Sequence, residues 1–161
     1  MEWKKILKTD NDWAATVARV ALGLVFFPHG AQKALGWFGG YGLEGTLGYF
    51  NSIGIPTIVG ALVIGAEFFG ALGLITGLLG RVAAAGIIPV MMGAVLLTHL
   101  PNGFFMNWAG TQAGEGYEFH VLAVALALVV VLKGSGAASL DRWLSRDTQP
   151  APAIRELARA A

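Results

Sequence analysis

Glu67, His29 and Lys33 are the residues of this 161-residue chain best suited to chemistry. Glu67 stands in a long apolar stretch, too deep to reach lipid headgroups easily, where an ionisable side chain is costly and needs a reason. It must be protonated or paired with a cation, and Arg19 and Lys33 are the available partners. As a functional group it would be a proton-handling or ligand-binding carboxylate; as a structural one it would lock helices together. His29 and Lys33 are four residues apart, so on a helix they share a face. Pro28 removes a backbone hydrogen bond just before them and can leave a carbonyl free there.

More polar groups gather near them once direction is considered. His99 ends a later apolar stretch, and Glu118 and His120 open the last one. Gln32, Asn102 and Asn107 fall at the same level. All three histidines of the chain therefore share one depth on one side. Hydrogen-bond donors, a proton carrier and aromatic walls are what a quinone head requires. His29, Gln32, Lys33, His99 and Asn102 would supply the polar contacts, Glu67 and Glu118 would accept or relay protons, and Phe104, Phe105 and Trp108 would form a wall. Haem ligation by His29 with His99 or His120 ranks below this, because three scattered histidines match that pattern by chance. Met91, Met92 and Met106 are packing residues before they are soft-metal ligands. No metal site is assigned.

The elements that position these groups are membrane helices. Hydrophobic residues make up 55% and charged residues 13%, with mean hydropathy +0.63. That charge is about half a soluble domain's share. The 23 glycines suit helices that approach closely. The reading is an all-α integral membrane four-helix bundle, with spans at about 13–35, 55–79, 82–100 and 118–132. The fourth is short for a bilayer core of about 30 Å. Small residues Gly60, Gly70, Ala71, Gly73 and Gly77 place Glu67 toward the bundle.

Charge sets the direction. Lys4, Lys5 and Lys8 precede span one, Arg81 lies between spans two and three, and Lys133, Arg142, Arg146, Arg155 and Arg159 follow span four. The two opposite loops hold only Lys33. The positive-inside rule then puts both termini in the cytoplasm. Arg19 is expected to snorkel to the nearby headgroups. Residues 1–12 read as an interfacial segment, with Trp3, Ile6 and Leu7 on one face, and 134–161 as a basic tail. In that tail Ser139 can cap a helix carrying Leu140, Trp143 and Leu144. The connections at 36–56 and 101–117 are aromatic-rich loops, suited to a membrane interface or a ligand wall.

Composition excludes other classes. There is no basic run with interleaved aromatics, so nucleic-acid binding has no support. With no cysteine, thiol chemistry would have to come from a partner.

The order of these pieces resembles the DoxX family of small bacterial membrane proteins. The matching residues are Arg19 and Gly23, His29-Gly30 with Lys33, Gly54-x-Pro56, Glu67-x-x-Gly70 with Gly73 and Gly77, Arg81, His99 with Asn102-Gly103-Phe104, Glu118, and Gly136 with Ser139-Leu140-Asp141. The resemblance implies a four-helix fold in the bacterial cytoplasmic membrane and redox work near the quinone pool, beside a redox partner protein. Two other readings stay open. One is a non-catalytic anchor or assembly factor. The other is a small-solute or proton transporter, which at four spans would require a homo-oligomer.

Overall fold

A computed structural model describes residues 6–146. The expected contribution of Trp3 and the tail beyond residue 146 lie outside the described residues. The described residues are helical, with no strand among them. Helix α1 runs Trp13–Leu35 and continues through Pro28. Asp12 caps its start, accepting from the amides of Ala14 at 2.8 Å and Ala15 at 3.1 Å. Gly36, at φ 74°, ends it in the left-handed conformation that glycine adopts freely.

Helix α2 (Gly42–Ser52) forms where the sequence reading has a loop. Gly42, Gly45 and Gly48 weaken its intrinsic preference. Its packing against α1 and α3 supplies what propensity lacks. Helices α3 (Thr57–Thr76) and α4 (Gly80–Ala94) follow, joined by a turn of three residues. A π turn, Val95–His99, and a short 3-10 turn, Leu100–Asn102, extend α4. Helix α5 is Glu118–Lys133, and α6 is Leu140–Arg146. The Ser139 hydroxyl accepts from the Arg142 amide at 3.2 Å, as the capping reading expects.

Three helices are long and apolar enough to cross a membrane: Trp13–Leu35, Thr57–Thr76 and the α4 unit Gly80–Asn102. Their outer surfaces carry exposed Val17, Leu24, Ile58, Leu62, Phe69 and Leu96, a pattern suited to lipid and not to water. One core joins α1, α3, α4 and α5, centred on Leu22, Phe26, Leu74, Ile87, Met91 and Val130. The α1–α3 contact is the closest. A Cβ at Gly30 would lie 2.6 Å from the Phe68 Cα, and one at Gly23 would lie 3.0 Å from the Ala71 carbonyl oxygen. Glycine on α1 is what lets α3 approach, a contact of the small-residue kind. On α3, Gly70 and Gly73 face Ala83 of α4, while Gly60 faces Leu47 and Phe50 of α2.

At the end where residues 134–141 return, polar groups close the bundle. Arg19 is 1% exposed and does not snorkel. Its Nε donates to the Ser135 carbonyl at 2.6 Å, and its Nη1 to the Leu74 and Ile75 carbonyls at 2.5 and 2.8 Å. Its other nitrogen donates to the Ala138 carbonyl. The last carbonyls of α3 lack helical partners, and a planar fork of donors supplies them. Asp141 does the reverse for α4, accepting from the amides of Leu79 at 2.7 Å and Gly80 at 3.0 Å, and from the Ser135 hydroxyl at 2.5 Å. Arg81 donates to the Val131 and Leu132 carbonyls at the end of α5.

Candidate functional site

The opposite end of the bundle holds a cavity of about 530 Å³. Its walls come from α1 (Phe26, His29, Lys33), α2 (Tyr49, Phe50), α3 (Val59, Val63, Glu67), the α4 unit (Pro89, Gly93, Leu97, His99) and α5 (Phe119, His120). Met106 and Glu115 reach it from the loop before α5. The size and the mostly apolar lining with a few polar groups are those of a small-molecule site.

Two polar pairs stand in this wall. In the first, the Lys33 ammonium donates to Glu67 Oε2 at 2.6 Å. Glu67 is 4% exposed, so the carboxylate is buried and needs this partner. The glycine contact at Gly30 sets the pair, because it brings the last turn of α1 down against Glu67 and Phe68 of α3. In the second, the rings of His99 and His120 lie with centroids 4.2 Å apart. The π turn ends at His99, and such turns gather at functional sites. His99 Nδ1–H donates to the Glu115 carbonyl at 2.9 Å, which fixes its tautomer and leaves Nε2 as an acceptor. His120 is buried, and its Nδ1 has no hydrogen-bond partner. Among the described residues, no three His, Asp or Glu side chains converge as a metal site.

The DoxX family model matches residues 14–100, from the first turn of α1 through α4, with His29, Lys33, Glu67 and His99 inside the match. The chain belongs to the DoxX family. It is 32% identical over 158 residues to the "Uncharacterized membrane protein Rv3486" of Mycobacterium tuberculosis, covering 89% of each chain. It is 28% identical over 126 residues to the "Putative oxidoreductase CatD" of Bacillus subtilis, covering 78% of this chain and 83% of that protein. It is 29% identical over 140 residues to the "Inner membrane protein YqjF" of Escherichia coli, covering 87% of this chain and 98% of that protein. No solved structure matches it.

In this DoxX-family protein the sequence-derived residues separate into two groups. His29, Lys33, Glu67 and His99 share the cavity. Gln32, Asn102, Phe104 and Glu118 do not line it. Gln32 donates to the Phe38 carbonyl at 3.2 Å, and Asn102 to the Glu115 carbonyl at 3.0 Å. Glu118 Oε1 accepts from the Met106 amide at 2.9 Å. Phe104 packs edge-on against Tyr117, with centroids 5.5 Å apart. These four shape the loops that roof the site. Phe105 and Trp108 are exposed away from it. Sequence reasoning puts His120 at the right depth but assigns it only to the haem alternative. It leaves out Glu115 and Thr98, which also line the cavity, and no spacing signal would have found them.

Proposed function

We propose that this DoxX-family protein is a quinone-interacting subunit of a membrane redox complex, with the quinone head in the cavity between α1, α3, α4 and α5. The observation that carries this reading is one apolar cavity lined by both a cation–carboxylate pair and a histidine pair. A quinone ring offers two carbonyl oxygens at opposite edges and an apolar face. Lys33 and the histidines suit the oxygens; Phe26, Phe50 and Phe119 suit the ring.

Reduction of a quinone to its quinol takes up two electrons and two protons. The electrons come from a partner redox protein, because this cysteine-free chain has no thiol couple to supply them. The protons pass through groups that exchange them: the Lys33–Glu67 pair and the imidazoles. The oxidoreductase in the name of the Bacillus subtilis relative agrees with this reading.

The proposed setting is the bacterial cytoplasmic membrane, crossed four times with both termini in the cytoplasm. Helix α5, at 16 residues, is about 24 Å long at 1.5 Å per residue. It completes a crossing with Tyr117 at one end and Lys133, which is exposed, at the other. The basic residues Lys8, Arg81, Lys133 and Arg142 then all lie at the cytoplasmic end, with Arg19 and Asp141. The cavity lies toward the outer face.

A second reading rests on the same ion pair. A buried, mutually satisfied Lys33 and Glu67 is also what a purely structural lock looks like, and it fits an anchor whose chemistry belongs to its partner. Saturable binding of a quinone to the purified protein, lost on replacing both residues in a folded variant, separates the two. An anchor binds none.

A further inference from the structure

We infer that the end of the bundle opposite the cavity is a docking surface for anionic phospholipid. There α6 sets Leu140, Trp143 and Leu144 among the lipids, and Lys8 and Lys133 hold headgroup phosphates. The inference does not depend on what the cavity binds.

Helix α6 is turned inside out for a helix in water. Its carboxylate, Asp141, is 1% exposed and bonded to the amides of Leu79 and Gly80, while Trp143 is 63% exposed. Leu140 and Leu144 are exposed as well. A helix on a water-facing surface does the reverse, burying its apolar stripe against the protein. The turn that Asp141 holds adds exposed Leu78 and Leu79 beside α6. Asp141 therefore fixes the helix with its apolar side away from the bundle.

Depth says what covers that side. The Ala138 amide donates to Thr16 Oγ1 at 3.4 Å, and the Ala138 carbonyl accepts from Arg19. Thr16 and Arg19 stand about 5 and 9 Å inside the start of α1, at 1.5 Å per residue. The 23 residues of α1 make about 34 Å, against a hydrocarbon core of about 30 Å. The chain thus enters α6 at the edge of that core. Arg142 then reaches back to Asn11, just ahead of α1. Side chains leaving the bundle at this level meet acyl chains and headgroups, where a soluble partner does not reach. Trp13, exposed at the same level, is a residue type suited to that boundary.

The cations stand where phosphates would lie. Arg81 Nε donates to the Lys8 carbonyl at 3.4 Å, and its Nη1 donates to the Val131 and Leu132 carbonyls. A Cβ on Gly134 would lie 3.1 Å from the Lys8 carbonyl oxygen, so Lys133 adjoins Lys8. Lys8 and Lys133 are exposed. The carboxylate facing them is Asp12, 3.7 Å from Lys133 Nζ, and it also caps α1. One carboxylate against three cations leaves a positive surplus, which favours an anionic headgroup over a zwitterionic one.

The test uses the full chain in nanodiscs of phosphatidylcholine, alone or with phosphatidylglycerol. Since the chain has no cysteine, Leu144→Cys, Asp10→Cys and Leu24→Cys each carry one fluorescent label. The Leu144→Cys label should be quenched by a nitroxide borne near the lipid headgroup. Aqueous iodide should quench it about fivefold less than the Asp10→Cys label, as expected for burial at the headgroup boundary. The Leu24→Cys label, in mid-span, should answer to a deep nitroxide. A Leu144→Cys label as open to iodide as Asp10→Cys, or shielded from both quenchers by protein, overturns the lipid surface. Phosphatidylglycerol should raise the native melting temperature by about 4 °C. Lys8→Gln with Lys133→Gln should lose most of that rise while melting like the native chain in phosphatidylcholine alone. No rise in the native chain, or an equal rise in the double variant, overturns the headgroup site.

Discussion

Lys33 Nζ lies 2.6 Å from Glu67 Oε2, tying the last turn of α1 to the middle of α3 across 34 residues of sequence. The pair faces the cavity, and its side chains are 26% and 6% exposed. A carboxylate this buried depends on its cation more than the cation depends on it. That asymmetry makes stability and ligand binding separable by mutation.

Lys33→Met should therefore destabilise the protein by about 3 kcal/mol, because it leaves Glu67 buried and unpaired. Lys33→Met with Glu67→Leu should recover most of that loss. Thermal unfolding in one detergent checks both. A double variant no more stable than the single would mean that the pair is not the source of the effect.

Arg19 and Asp141 should matter for folding and not for the ligand, since they close the other end of the bundle. Arg19→Gln strands carbonyls of Leu74, Ser135 and Ala138, and Asp141→Ala uncaps α4. Each should cost about 2 kcal/mol or more. Limited proteolysis should then cut more quickly between residues 134 and 141. The ligand affinity of the folded fraction should stay within twofold of native.

Glycine substitutions should sort by the space around them. Gly30→Leu should abolish folding, because even a Cβ there would sit 2.6 Å from the Phe68 backbone. Gly93→Leu should leave the melting temperature nearly unchanged. Expression as a monodisperse species is the readout. Equal behaviour of the two would contradict the α1–α3 packing described.

The absence of cysteine makes topology directly measurable. Asp10→Cys and Ala109→Cys place single thiols on exposed positions at opposite ends of the molecule. In intact cells, an impermeant maleimide should label Ala109→Cys and spare Asp10→Cys. The reverse pattern would turn the protein over in the membrane and move the cavity to the cytoplasmic side.

Much of this architecture is legible in the chain. Apolar runs give α1 to its terminal residues and α5 to within one, because hydrocarbon length is a local constraint. Glu67 reads correctly as facing the helices, and Lys33 as one of two partners. What decides between Lys33 and Arg19 is the register of α1 against α3, set by Gly23 and Gly30 through contacts far apart in sequence. Arg19 shows the limit most plainly. Its distance from a helix end suggests snorkelling, and only the return of residues 134–141 over the bundle supplies the carbonyls that bury it. Helix α2 is hidden by its glycines, since its helicity comes from packing. His120 carries no local mark either; its unsatisfied nitrogen exists only once α4 and α5 have met.

The proposed function requires the cavity to bind a quinone through the Lys33–Glu67 pair. The most direct test is binding of decyl-benzoquinone to the nanodisc-embedded protein, native against the Lys33→Met, Glu67→Leu double variant. Saturable one-to-one binding to the native chain is expected, with at least tenfold weaker binding to a double variant of near-native stability. Equal affinity in the two, or no saturable binding to the native protein, would contradict it.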